Sequence, residues 1–133
     1  SPVRKFFTAL ASLLVEGKVY LAPRTQDEEY QPPIHANPIG YYDPGPDQKV
    51  IYLRTETSLA YAKEFWRGLD EKLDIMPDAL RRQLRQVDGL LAQVGERQVE
   101  ASKLCAGIRQ RVLMVDVHKV EQLYGVSLTR SDN

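Results

Sequence analysis

A mixed α+β fold is predicted by two features of the sequence. Apolar side chains recur at helical spacing in three stretches and a short fourth, and β-rich runs between them are broken by glycine and proline clusters. The 133 residues, 43% hydrophobic and 27% charged, suit one globular domain over residues 1–133 that buries its own core. A single cysteine, Cys105, excludes an internal disulfide. With only His35 and His118 besides, neither a structural metal nor a cofactor is expected. No apolar run approaches the roughly 18 residues of a membrane span, and no secretory leader opens the chain. The expectation is a cytoplasmic protein with no membrane partner. The opening Ser1-Pro2-Val3, without a methionine, suggests either processing or, as the favoured expectation, a domain excised from a longer chain.

Along the chain, Phe6, Leu10, Leu13 and Leu14 lie at i, i+4, i+7 and i+8, which places them on one face of a first helix that Gly17 stops. Lys18-Val19-Tyr20-Leu21 reads as a strand ended by Ala22-Pro23. Residues 24–38, with Pro32, Pro33, Pro38 and the triplet Asp27-Glu28-Glu29, read as an irregular loop. Residues 39–43 and 49–53 are β-rich and flank Pro44-Gly45-Pro46-Asp47, so they are predicted to pair as an extra N-terminal hairpin. Leu59, Ala62, Phe65, Trp66 and Leu69 form the stripe of a second helix, with Thr55, Thr57 or Ser58 as its cap.

Pro77 opens a short third helix, whose Leu80, Leu84 and Val87 form a seam closed by Gly89. Leu90-Leu91 reads as the start of a strand and Gly95-Glu96-Arg97 as a turn. Residues 99–105 should then pair across Ala106-Gly107 with residues 108–117, burying both faces of the last strand near its end. Val120, Leu123 and Tyr124 suggest a short closing helix, and residues 129–133 a frayed tail.

Net charge is zero but unevenly spread. Residues 24–74 hold six basic and ten acidic side chains, whereas residues 77–111 hold seven basic and four acidic, a local excess of three. The seam of the third helix turns Arg81, Arg82, Arg85 and Gln86 outward. Arginine can read guanine edges in bidentate fashion and glutamine adenine edges. Three helices, the last short and basic, followed by a hairpin with basic positions, is the pattern of a winged helix-turn-helix. In that reading Arg97, Lys103 and Arg109 sit on or near the wing and reach phosphates. The alternative is that these arginines are solvated surface and the domain docks protein.

The order of Phe6-Phe7-Thr8-Ala9-Leu10, Lys18-Val19-Tyr20-Leu21, Ile39-Gly40-Tyr41-Tyr42-Asp43, Val50-Ile51-Tyr52-Leu53, the segment 80–91 and Gly107-Ile108-Arg109-Gln110-Arg111-Val112-Leu113 resembles the winged-helix C-terminal domain of primase/helicase-type ATPases from bacterial plasmids, phages and integrated elements. The resemblance covers residues 6–115. It departs at residues 54–56, which lack a proline before the second helix, and at residues 24–37, an irregular insertion. It implies a non-catalytic domain that helps an ATPase engage duplex or forked DNA during replication, with DNA and the ATPase/helicase portion of the longer protein as partners. No Gly-x-x-x-x-Gly-Lys-Ser/Thr loop occurs, so no ATP site is expected in this segment. The competing implication is docking onto the motor or a neighbouring subunit without nucleic acid.

Other residues read as structural. The acidic triplet lacks the ligand spacing of a calcium loop. His35 and Cys105 show no spacing that would place a base beside a nucleophile, so no enzyme and no small-molecule substrate are expected. Cys105 reads as a small buried hydrophobe, His118 as decoration at the end of the last strand, and Phe65 and Trp66 as core rather than a stacking platform. Tyr41 and Tyr42 must face opposite sides of a strand, so one is expected in the core and the other on an exposed partner surface.

Overall fold

The computed structural model describes residues 1–92 and 97–128. The elements are α1 (Pro2–Val15), β1 (Val19–Pro23), β2 (Asn37–Tyr42), β3 (Val50–Leu53), α2 (Thr55–Gly68), α3 (Pro77–Gln86), β4 (Glu100–Cys105), β5 (Ile108–Asp116) and α4 (Val117–Tyr124). The mixed α+β class therefore stands. The expected Gly95-Glu96 turn and the tail at 129–133 lie outside the described residues.

α1 forms because Ser1 caps it, accepting from the Arg4 N–H at 3.3 Å, and Pro2 sets its first turn. Phe6, Phe7, Leu10 and Leu14 on its inner face are essentially fully buried. α2 differs from expectation at its start. Arg54 is the cap residue and offers no side-chain hydrogen bond. The Thr55 hydroxyl is drawn instead to Glu100, at 2.5 Å, and the Ser58 hydroxyl to the Ile39 carbonyl, at 3.2 Å. Both side chains are buried, so each polar group takes an acceptor supplied by the sheet.

The five strands form one sheet in the order β1-β2-β3-β5-β4. This corrects the expected arrangement of three helices with two separate hairpins. The N-terminal hairpin β2–β3 and the hairpin β4–β5 both form, but β3 also pairs antiparallel with β5, and β1 adds to β2 in parallel. The loop after β1 is accordingly shorter than expected, because Asn37 and Pro38 already belong to β2. Leu91 contributes one isolated bridge to Val115 rather than a strand start, and regular pairing on that edge begins at Glu100. α4 is a regular helix capped by Asp116, whose carboxylate accepts from the N–H groups of His118 and Lys119 at 3.0 Å. His118 thus lies in the first turn of α4, not at a strand end.

Strand alternation sorts the sheet into two faces. Ile51, Leu53, Leu113 and Val115 join the main core with residues of all four helices, and Phe65 and Trp66 pack against it. On the other face Tyr41, Tyr52, Val112 and Met114 form a second, smaller core together with Cys105. Tyr41 and Tyr42 do face opposite sides, but both are buried, so neither presents the exposed partner surface expected of one of them. What buries Tyr41 is the β4–β5 hairpin. β3 pairs only with residues 113–116 of β5, and beyond that the hairpin curls over the second face. Gln110 Nε2 there donates to the Tyr41 hydroxyl at 2.9 Å.

Candidate nucleic-acid interface

α3 is held by Leu80 and Leu84, both fully buried. At 100° per residue this anchoring sends Arg82, Arg85 and Gln86 to solvent, and all three are exposed. Arg81 lies on the flank and is largely occupied. Its Nη1 donates to Asp78 at 2.9 Å, its Nη2 donates to Glu56, and its Nε sits 3.2 Å from Glu100 Oε2, close but poorly aligned for a hydrogen bond. Burial opposes the Arg81 charge, yet Glu56 and Glu100 outweigh it and hold its pKa above the ordinary value. In return the Arg81 hydrogen bond holds Glu56 below the usual carboxylate range.

Glu100 is the joint of this region. Its side chain is only 11% exposed. It accepts from Thr55 at the start of α2, faces Arg81 of α3, and lies 3.7 Å from Arg111 Nε of β5. One carboxylate thus sets where the basic helix stands relative to the hairpin. Removing one partner of such a buried ion cluster costs far more than a surface pair contributes.

The hairpin register divides its basic residues. Glu100 pairs with Leu113, Ser102 with Arg111 and Leu104 with Arg109, so these side chains share the outer face. Lys103 pairs with Gln110 and stands on the inner face, half-buried. Arg97 is exposed in the turn that precedes β4. Of the seven residues expected to contact DNA, Arg82, Arg85, Gln86, Arg97 and Arg109 are exposed, Arg81 is tied into carboxylates, and Lys103 is turned inward. Arg111, exposed on the outer face beside Arg109, was not among the residues expected to touch DNA; the two-residue alternation of the last strand already places it on the face of Arg109.

The hairpin tip does not project freely. The Ala106 N–H donates to the Arg24 carbonyl at 2.7 Å, and Arg24 Nη1 donates to the Leu104 carbonyl at 3.3 Å. Arg24 is fixed in turn by Asp43, 2.6 Å from its Nε, and stacks over the Tyr52 ring at 5.1 Å. Cys105 lies buried beneath the tip, and burial raises its thiol pKa, which keeps it protonated and unreactive. Among the described residues no cluster of metal-ligating side chains occurs, and no helix is long and apolar enough to cross a membrane.

Tyr52 gives this anchor a pH signature. Its hydroxyl donates to Asp43 Oδ2 at 2.6 Å. Burial and that hydrogen bond push its pKa up to about 12, against about 10 when unfolded. Because the folded value is the higher, the neutral hydroxyl contributes stability that is complete below about pH 10 and lost as pH rises through about 12. Urea midpoints of the parent chain are therefore expected to fall across that window. Tyr52→Phe should fall less; equal losses would show that Tyr52 does not carry the effect.

A groove of about 480 Å³ lies on the opposite flank, between the C-terminal ends of α1 and α2 and the segment before β2, lined among others by Leu13, Lys18, His35, Tyr61, Phe65 and Leu69. Local periodicity gave no sign of it, since it arises where three separate segments meet. No protein-family model, curated protein or solved structure matches the chain.

Proposed function

We propose that the chain is a winged-helix domain that binds duplex or forked DNA, serving as a non-catalytic accessory module of a primase/helicase-type ATPase. The observation that carries this reading is the shared exposure of two basic groups distant in sequence. Arg82, Arg85 and Gln86 occupy the solvent face of a short anchored helix, and Arg109 and Arg111 the outer face of the hairpin that follows. The order of elements from β3 through α2, α3, β4 and β5, with β3 paired to β5, supports it. In this reading α3 faces the major groove and the hairpin arginines take phosphates, while Arg81 positions α3 rather than touching DNA.

The test is fluorescence anisotropy of labelled duplex and forked DNA at several salt concentrations, with the parent chain and with Arg82→Ala/Arg85→Ala/Arg109→Ala. All three side chains are exposed, so the unfolding midpoint should barely move. Affinity should fall about 100-fold, and the salt slope should shrink by about 0.9 for each phosphate no longer neutralised by an arginine. Equal affinity of variant and parent overturns the reading. A second reading, docking on the ATPase portion without nucleic acid, draws on the α1–α2 groove, where Leu69 is exposed in the lining and Val15 and Ile34 are exposed beside it. In that case the triple variant leaves partner binding intact.

A further inference from the structure

We propose that the tip of the β4–β5 hairpin is a rigid apolar wedge that packs against the uncovered base face of a DNA fork, with Leu104 on the base and Arg109 and Arg111 on the flanking phosphates. The inference rests on the DNA-binding reading above and adds the substrate class: DNA in which a base pair lacks one stacking neighbour.

Leu104 and Ile108 are 51% and 65% exposed. The register sets Leu104 on the face of Arg109 and Arg111, whereas Ile108, paired with Cys105, points to the opposite face. Leu104 lies opposite Arg109 and two residues from the Ser102–Arg111 pair, so an apolar side chain stands in a row with two guanidiniums. From residue 101 to residue 111 the hairpin carries no acidic side chain. That combination complements a base face bordered by phosphates, which is how apolar wedges enter between base steps.

A wedge must also keep its shape, because unstacking costs free energy that a yielding tip would not recover. The tip is held from several sides. Ala106 and Gly107 have φ of 51° and 85°, the two successive left-handed residues of a tight hairpin turn. The Arg24 main chain and guanidinium hold the residues on either side of Cys105. A Cβ at Gly107 would lie 2.4 Å from Gln26 Nε2, so the loop after β1 closes against the turn. Cys105 beneath it is fully buried.

The experiment uses the full chain and forked duplexes carrying 2-aminopurine, which brightens when unstacked, either at the first pair beside the fork or at a pair in the duplex interior. Anisotropy on the same DNA reports binding. The parent chain is expected to brighten the fork position only. Leu104→Ser, which alters a half-exposed side chain, should lose that brightening and bind the fork about tenfold more weakly, with its affinity for uninterrupted duplex unchanged. Binding without brightening overturns the wedge and leaves the DNA reading standing. Brightening retained in Leu104→Ser also overturns it. Failure of the parent chain to bind either DNA at low salt overturns the DNA reading and the wedge with it.

Discussion

Gly40→Ala is expected to destabilise the fold by about 4 kcal/mol, or to prevent folding, although it adds one methyl group. Gly40 is buried in β2, opposite Leu53 of β3. A Cβ there would lie 2.2 Å from the Tyr52 carbonyl oxygen and 3.0 Å from the Leu53 Cα. Both are main-chain atoms of a strand paired on both sides, so neither can swing away as a side chain would. The pressure falls where β1 and β2 also shift register, between Tyr20 and Leu21, and where the sheet is covered on both faces. A glycine inside a strand marks such close backbone approach. Urea unfolding of the parent chain and the variant measures the effect, and a loss below about 1 kcal/mol would mean that β3 can yield.

Glu100→Ala is expected to cost about 3 kcal/mol, because it leaves Thr55 without its acceptor and removes a carboxylate from the largely buried Arg81. Glu56 and Asp78 still face Arg81, which keeps the cost below that of a fully orphaned charge. Adding Arg81→Leu to Glu100→Ala should recover part of the loss, since a buried ion cluster replaced as a whole costs less than one broken. The measurement is a double-mutant cycle on unfolding free energies, and purely additive losses would contradict the coupling. Glu100→Ala disturbs the frame of the basic surface and the triple arginine variant disturbs the surface itself. The first should therefore move stability most, and the second DNA affinity.

Much of the local structure was legible. α1, α3 and both hairpins fall close to where apolar period, prolines and turn residues place them, because those signals act within a few residues of one another. The burial of Leu80 and Leu84, and hence the outward course of Arg82, Arg85 and Gln86, follows from the same seam. The buried faces of β5 near its end were equally readable, since Val112, Leu113, Met114 and Val115 leave no polar side chain to face water.

Tertiary structure alone decided the rest. β1 lies parallel to β2, β3 closes against β5, and the hairpin bends back until Arg24 binds its tip; each of these joins segments whose pairing no local pattern specifies. The fate of Arg81 shows the difference at the candidate interface. Its place on a basic helix made it an expected DNA contact, but Glu56 and Glu100, 25 and 19 positions away, arrive beside it only when α2 and β4 pack. The sequence by itself determined which residues form elements and which side of each element is apolar, because those follow from short-range stereochemistry and hydrophobicity. Which charges meet, and which are left facing solvent, was decided by packing, because electrostatic partners are chosen by distance in space.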